Sequence, residues 1–223
     1  MTKKTILCFG DSNVWGSIAS PSVRGEPSGR YDENTRWTAV LQNSLRDTCH
    51  VVEEGLCGRA TIYQTAEEPY KNGEPYLLPC LLSHRPLDLV IIMLGSNDVK
   101  KAFGLTEDRL GIGMERLVDI VQSCAECGAG NIPPKVLILA PIPIRTPTGR
   151  TDYFMARDGE AGIALTKRFA PIFEKIAAEK GCFFFDAAAV GEADLADGLH
   201  LTRESHIALG KALAEKVKGI LKV

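Results

Sequence analysis

TILCFGDSNVWG, residues 5–16, combines an apolar strand with a polar turn. Its first five residues, 5–9, form a continuous apolar run without alternation, a pattern typical of a strand buried on both faces of a sheet. Gly10 ends the run, and its lack of a Cβ permits a sharp turn into Asp11 and Ser12. Open α/β folds bind ligands at the carboxyl ends of their parallel strands. We therefore expect Ser12 to lie where chemistry takes place.

The rest of the chain repeats this strand character. The other apolar runs lie at 50–54, 87–94, 136–140 and 182–186. The segments with helical character lie at about 36–47, 80–84, 106–127, 159–180 and 203–221, with Thr106 and Thr202 as N-caps of the third and the last. Strands that alternate with helices imply parallel βαβ units. We predict one domain over residues 1–223 with an α/β fold, three-layered and doubly wound (flavodoxin-like), around a five-stranded parallel sheet.

The charge and the hydropathy exclude two classes of partner. The 223 residues carry 26 basic and 28 acidic side chains, with no dense basic run, so we expect no nucleic-acid partner. No apolar stretch is long enough to span a bilayer, so we expect no membrane partner. The chain contains seven cysteines, an odd number scattered through strands and helices, which indicates reduced thiols and a cytoplasmic protein. Cys124 and Cys127 form a CxxC pair without a second pair or a nearby histidine, so we expect no metal site there.

Several unusual polar turns fall at predicted strand ends. Asp11 and Ser12 follow the first strand, Gly58 the second and Asn97 the third, while His200 lies one loop beyond the fifth. In a parallel sheet all these turns lie at the same edge. We therefore expect residues that are distant in the sequence to meet in one cleft.

The residues of this cleft suit nucleophilic catalysis. A serine hydroxyl such as that of Ser12 needs a base within hydrogen-bond reach. His200 is the histidine at this edge, and Asp197, three residues earlier, can hold its imidazole. The remaining histidines lie at the opposite edge or inside the last helix: His50, His84 and His206.

The same cleft offers donors for an oxyanion. The backbone N–H groups of Ser12 and Gly58 and the side-chain amide of Asn97 are expected to hold the negative oxygen of a tetrahedral intermediate. Candidate residues for the substrate pocket are Trp15, Leu56, Ile144 and Phe154.

These residues form four blocks that resemble those of the SGNH (GDSL-type) hydrolases. The blocks are Gly10-Asp11-Ser12-Asn13, Gly58, Gly95-Ser96-Asn97-Asp98 and Asp197-Gly198-Leu199-His200, in the order of that family. Asn13 stands where leucine is usual. Residues 53–61, 36–38, 87–98 and 10–16 are similar to the bacterial arylesterase/acyltransferase (perhydrolase) branch, except that Cys57 replaces an expected serine.

The resemblance implies a serine esterase that hydrolyses short-chain acyl and aryl esters through an acyl-enzyme. It also implies acyl transfer to alcohols or peroxide, a small-molecule ester as the partner, no cofactor or metal, and a homo-oligomer, often an octamer. One alternative is a deacetylase of carbohydrates or other natural products that uses the same triad.

An alternative of another class is a non-catalytic binding domain for small molecules or phosphate. Asp11 would then resemble the acidic residue that doubly wound folds often keep after the first strand. The sequence shows no second nearby aspartate to hold Mg²⁺, which disfavours this hypothesis.

Overall fold

A parallel sheet of five strands organises the structure, a computed structural model that describes residues 2–20, 29–148 and 157–223. The strands are β1 (Lys4–Gly10), β2 (Cys49–Gly55), β3 (Leu89–Met93), β4 (Lys135–Ala140) and β5 (Phe183–Asp186). Their order across the sheet is β2-β1-β3-β4-β5, and all neighbouring strands are parallel. This is the flavodoxin-like order, so the predicted fold class is confirmed.

Helices cover both faces of the sheet. The described helices are α1 (Ser12–Trp15), α2 (Trp37–Ser44), α3 (Gly73–His84), α4 (Ile112–Ser123), α5 (Gly159–Thr166), α6 (Phe169–Glu179) and α7 (Arg203–Leu221). α2 packs against α7 on one face, whereas α3, α4 and α6 contribute to the core of the other face. None of the helices in these ranges is both long and apolar enough to cross a membrane.

The position of β1 in the sheet explains why its apolar residues do not alternate with polar ones. Leu7 and Phe9 point into the core shared with α3, α4 and α6, whereas Ile6 and Cys8 point into the core shared with α2 and α7. Successive side chains of a strand face opposite sides of the sheet, so a strand covered on both sides is apolar throughout.

Helix α3 is longer than the predicted segment at 80–84, because two prolines do not break it. It begins at Gly73, after the Asn72 side chain accepts a hydrogen bond of 3.0 Å from the backbone N–H of Glu74. Pro75 lies in the first turn, where the missing N–H has no helical partner to lose. Pro79 lies inside the helix, which nevertheless continues and buries Leu77 and Leu81.

The predicted helices at 106–127 and 159–180 are each interrupted. Gly111 adopts a left-handed φ of 94°, so α4 starts only at Ile112 and Thr106 is not its N-cap. α5 ends at Thr166, whose hydroxyl donates to Ile163 O at 2.7 Å and accepts from Ile144 N at 3.1 Å. The hydroxyl thus bonds the backbone at the point where the helical path stops, and α6 begins afresh at Phe169.

The expectation of reduced cysteines is wrong for one pair. Cys124 and Cys127 are joined by a disulfide, while the remaining five cysteines are free. Cys124 caps the end of α4 and a short 3₁₀ turn, Ala125–Cys127, follows it, so the two Cα atoms lie 5.3 Å apart. That separation lies within the range that a disulfide bridges.

Candidate active site

Ser12 lies at the carboxyl end of β1, as the first residue of α1. The Asp11 side chain caps this short helix by accepting a hydrogen bond of 2.9 Å from the backbone N–H of Asn13. Ser12 is 4 % exposed. Its backbone N–H donates to no acceptor within residues 2–20, 29–148 and 157–223, and is therefore available to a ligand.

Ser12, His200 and Asp197 form a continuous chain of hydrogen bonds. His200 Nε2 lies 2.9 Å from Ser12 Oγ, and His200 Nδ1 lies 2.7 Å from Asp197 Oδ2. The imidazole is nearly buried, with 3 % of the residue exposed. The structure thus brings together all three residues predicted for the triad, and each of the two hydrogen bonds has the length that proton transfer and tautomer control require.

The electrostatics of Asp197 favour its charged form. Burial alone would raise its pKa, but the hydrogen bonds and the charge of His200 outweigh it, so the pKa lies below the ordinary value of 3.8. Its oxygens also accept backbone N–H groups from Leu199 at 2.9 Å, His200 at 3.0 Å and Ser20 at 3.1 Å. An ionised carboxylate in this position stabilises the imidazolium that forms during catalysis.

Glycine permits the loop that carries His200. Gly198 has a φ of 72°, and a Cβ there would collide with the carbonyl oxygen of Arg145. Arg145 N donates to Gly198 O at 2.8 Å, and Gly198 N donates to Asp194 O at 2.7 Å. These bonds fix the turn that brings Asp197 back to His200.

Asn13 is a residue of the site that sequence reasoning missed. Its Oδ1 accepts the N–H of Leu201 at 2.9 Å, and its Nδ2 donates to Leu199 O at 3.3 Å. The two bonds bracket His200 and tie its loop to the turn that presents Ser12. The only sequence signal was its place in the first block, directly after Ser12.

Gly58 and Asn97, the predicted oxyanion donors, follow β2 and β3 at the same edge of the sheet as Ser12. Gly58 has a φ of 81°, and in the part of the chain that the structure describes its N–H has no hydrogen-bond partner. Asn97 is 2 % exposed, and its Nδ2 lies 3.1 Å from Arg59 O and 3.3 Å from Asp11 Oδ2. Asn97 Oδ1 accepts a long hydrogen bond of 3.4 Å from Arg157. Both amide hydrogens of Asn97 thus face acceptors, and the longer contact is the one with Asp11.

Arg59 is a second residue without a predicted role. It is 3 % exposed, and its Nη1 donates to Gly10 O at 3.0 Å and to Glu54 O at 2.5 Å. Its guanidinium lies 4.3 Å from the centroid of the Phe9 ring. Arg59 therefore links the carboxyl ends of β1 and β2, and its own carbonyl orients Asn97.

Asp98 connects the turns that follow β2 and β3. It accepts hydrogen bonds from Thr61 N at 2.9 Å and from Thr61 Oγ1 at 2.6 Å. Burial raises the pKa of Asp98 to about 7, helped by the nearby charge of Asp11 and opposed by the bonds from Thr61. Two of the loops that line the site are thereby held together beneath it.

The predicted pocket residues have different surroundings. Trp15 and Leu56 are half-buried beside the Ser12 turn. The carbonyl of Trp15 accepts a hydrogen bond of 2.6 Å from Arg30 Nε. The backbone N–H of Leu56 donates to Gly10 O at 3.1 Å. Ile144 is 2 % exposed and packs in the apolar core with α6. Phe154 lies outside the described residues.

One cluster in the described ranges has the composition of a metal site. Ligand atoms of Glu54, Cys80 and His84 lie within 4.8 Å of one another. Glu54 already accepts from His84 at 2.8 Å and from Tyr76 at 3.2 Å. Burial raises the pKa of the Cys80 thiol to about 12, which keeps it protonated and a poor metal ligand.

Comparison with known proteins yields a family and a set of similar structures. The model of the GDSL-like Lipase/Acylhydrolase family matches residues 8–207. No curated protein matches the chain significantly.

Two solved structures illustrate the likeness over the whole chain. Est24, a carbohydrate acetylesterase from Sinorhizobium meliloti, is 38 % identical with a TM-score of 0.90, and the match covers 98 % of this chain and 100 % of Est24. The aryl esterase of M. smegmatis, in an inhibitor-bound form, is 39 % identical with a TM-score of 0.89, and the match covers 97 % of this chain and 99 % of that one.

Proposed function

We propose a mechanism for this chain, which belongs to the GDSL-like lipase/acylhydrolase family and is a carboxylic ester hydrolase. Ser12 is the nucleophile, His200 the general base and acid, and Asp197 the group that orients His200. The single observation that carries the proposal is the continuous pair of hydrogen bonds, 2.9 Å and 2.7 Å, that joins the three side chains.

Acylation begins when Ser12 Oγ attacks the carbonyl carbon of the ester. His200 Nε2 takes the serine proton, and the resulting imidazolium is stabilised by the Asp197 carboxylate. The carbonyl oxygen becomes an oxyanion, which accepts hydrogen bonds from the backbone N–H groups of Ser12 and Gly58. One amide hydrogen of Asn97 turns from Asp11 towards the same oxygen.

Collapse of this intermediate breaks the bond to the alcohol oxygen, which takes the proton from His200 and leaves. Water then attacks the acyl-Ser12 carbonyl while His200 accepts a proton from it. The second collapse returns the proton to Ser12 and releases the acid. An alcohol or a peroxide that replaces the water would give acyl transfer, which we include in the proposal.

The substrate is a small-molecule ester with a short acyl or aryl group. The experiment is hydrolysis of p-nitrophenyl acetate and its longer homologues by the wild type and by Ser12→Ala, with EDTA present. We expect wild-type activity that falls with chain length and a loss of about 10³-fold or more in kcat for the alanine variant.

Other results of that experiment would contradict the mechanism. Full activity of Ser12→Ala would exclude Ser12 as the nucleophile. Wild-type activity that disappears in EDTA would show that the hydrolysis needs a metal ion, which this mechanism does not use.

A second candidate is a carbohydrate deacetylase with the same triad. The specific observation in its favour is the 38 % identity with Est24 over 98 % of this chain. Acetate release from an acetylated monosaccharide at a higher kcat/KM than from phenyl acetate would favour it. The reverse order would favour the arylesterase.

A further inference from the structure

A tight turn over residues 56–59 carries Gly58, one of the proposed oxyanion donors. The backbone N–H of Arg59 donates to Leu56 O at 3.0 Å and closes the turn. Gly58 occupies the third position with a φ of 81°, a conformation that a β-turn allows there for glycine. The position of the Gly58 N–H therefore depends on how Leu56 and Arg59, the two ends of the turn, are anchored.

Both ends of this turn bind the same carbonyl oxygen. The backbone N–H of Leu56 donates to Gly10 O at 3.1 Å, and Nη1 of Arg59 donates to the same oxygen at 3.0 Å. Gly10 is the last residue of β1 and stands two positions before Ser12. The turn that presents Gly58 is thus tied to the strand end that presents Ser12.

Arg59 also holds the third oxyanion donor. Nδ2 of Asn97 donates to the backbone carbonyl of Arg59 at 3.1 Å. Arg59 therefore follows Gly58 in the chain, contacts Asn97 through its carbonyl and contacts Gly10 through its side chain. One residue connects the segments that carry all three donors.

The Arg59 side chain is itself held in one position. Its guanidinium carbon lies 4.3 Å from the ring centroid of Phe9 and 5.2 Å from that of Tyr76. Nη1 makes a second hydrogen bond, of 2.5 Å, to Glu54 O. Arg59 is 3 % exposed, and a cation that is shielded from water interacts more strongly with aromatic rings. Such a side chain can fix the backbone segments that it touches.

We propose that Arg59 is the positioning residue of the oxyanion hole, which sets the N–H of Gly58 and the amide of Asn97 relative to Ser12. The inference rests on the proposed function, because it concerns the oxyanion of the same reaction. Donors that are placed before the reaction stabilise the oxyanion without a cost of reorganisation. A displacement of about 1 Å can lower the rate by about 10²-fold.

The test compares p-nitrophenyl acetate with p-nitrophenyl thionoacetate, in which sulfur replaces the carbonyl oxygen. Sulfur is larger than oxygen and a weaker hydrogen-bond acceptor, so the thionoester gains less from the donors of the oxyanion hole. The ratio of kcat/KM for the oxygen ester to that for the thionoester therefore reports on the hole and not on the triad. We call it the oxygen-to-sulfur ratio.

Arg59→Met should lower kcat for the oxygen ester by about 10²-fold at nearly constant KM. The oxygen-to-sulfur ratio should fall by about tenfold, because the thionoester has less of this stabilisation to lose. Arg59→Lys keeps a donor that can reach Gly10 O, so it should restore part of both losses. Circular dichroism and urea unfolding check that each variant is folded.

Tyr76 gives a second variant that does not disturb a buried charge directly. Its side chain is exposed, and Tyr76→Leu removes one of the two rings beside the guanidinium. The oxygen-to-sulfur ratio should fall by about threefold, the worth of a weak cation–π contact. Tyr76→Phe keeps the ring and should leave the ratio unchanged.

Two further variants serve as controls. Arg36→Met removes another half-buried arginine, which binds Glu53 at 2.7 Å, and should leave the oxygen-to-sulfur ratio unchanged. Asn13→Ala acts on the loop of His200, so it should slow the hydrolysis of both esters equally and also leave the ratio unchanged.

Three outcomes would overturn the inference. An unchanged ratio in folded Arg59→Lys and Tyr76→Leu, with normal wild-type hydrolysis, would refute the role of Arg59 and leave the esterase mechanism intact. An equal fall of the ratio in Arg36→Met and the Arg59 variants would show a general loosening of the fold. Absence of hydrolysis of both esters by the wild type would refute the proposed function, and the inference with it.

Discussion

At the scale of single residues, Asn13 shows how one side chain can hold a site together. It follows Ser12 directly and is 1 % exposed. Its amide binds the backbone on both sides of His200, at Leu199 O and Leu201 N. The distance between His200 and Ser12 therefore depends on a residue whose side chain hydrogen-bonds neither the imidazole of His200 nor the hydroxyl of Ser12.

Asn13→Ala should lower kcat by about tenfold, because His200 would no longer be held in the orientation that proton transfer from Ser12 requires. The substitution leaves the buried N–H of Leu201 without its partner, so the free energy of unfolding should also fall by about 1–3 kcal/mol. Steady-state kinetics on p-nitrophenyl acetate and urea unfolding measure the two effects.

Asn43→Ala is the matched control for this prediction. Asn43 is exposed, and its amide donates to Glu33 O at 3.0 Å, away from the site. Both kcat and stability should stay near the wild-type values. A normal kcat for folded Asn13→Ala would show that the two hydrogen bonds of Asn13 do not position His200.

At the scale of elements, two threonines that look alike in the sequence have different roles. The pattern predicts both Thr106 and Thr202 as helix N-caps. Thr202 Oγ1 does accept the N–H of Ser205, at 3.0 Å, and α7 begins at Arg203. Thr106 makes no side-chain cap bond, because a short 3₁₀ turn, Glu107–Arg109, intervenes before α4.

Thr202→Ala should therefore reduce the free energy of unfolding by about 1 kcal/mol, the usual cost of a lost cap. Thr106→Ala should change it by less than about 0.5 kcal/mol, as is common for a surface substitution. Urea unfolding followed by circular dichroism measures both. Equal destabilisation by the two variants would contradict the assignment of the caps.

At the scale of the whole molecule, the site depends on contacts between distant parts of the chain. Ser12 lies at the start of the first crossover, whereas His200 lies after the last strand. The sheet order β2-β1-β3-β4-β5 brings the corresponding turns to one edge. The single-domain organisation over residues 1–223 and the homo-oligomer, expected as an octamer, stay predictions.

The buried Asp98 makes the stability of the whole molecule depend on pH. Its pKa is about 7 in the folded protein, against an ordinary value of 3.8, so the folded state holds the proton over the interval between these two values. A folded state that binds more protons loses stability as the pH rises. The free energy of unfolding should therefore fall between about pH 4 and pH 7 by a contribution that Asp98→Asn removes.

Urea unfolding of the wild type and of Asp98→Asn at several pH values measures this contribution. The exposed Asp108→Asn is the control, and its pH profile should run parallel to that of the wild type. Parallel profiles for Asp98→Asn and the wild type would show that Asp98 ionises equally in the folded and unfolded states.

The sequence by itself determined the fold and the principal residues of the site. Uninterrupted apolar runs such as 5–9 mark strands covered on both faces, and parallel strands place their carboxyl ends at one edge. From these two facts it follows that Ser12, Asn97 and His200 lie close together. Both inferences need only local patterns and a general rule of topology.

The tertiary structure alone decided whether a helix continues through a proline and which cysteines form a disulfide. α3 continues through Pro75 and Pro79 because the face of the helix that packs on the core buries Leu77 and Leu81. The Cys124–Cys127 disulfide depends on the turn that ends α4. These outcomes depend on packing and on backbone geometry that a local pattern does not contain.

The supporting residues of the site depend on tertiary structure for the same reason. The hydrogen bonds of Asn13 to the His200 loop and the link that Arg59 makes to Gly10 both involve partners far away in the chain. A side chain acquires such a role only from the atoms that folding places around it. Those neighbours become known when the backbone is folded, because hydrogen bonds and ion pairs act over a few ångströms and not along the sequence.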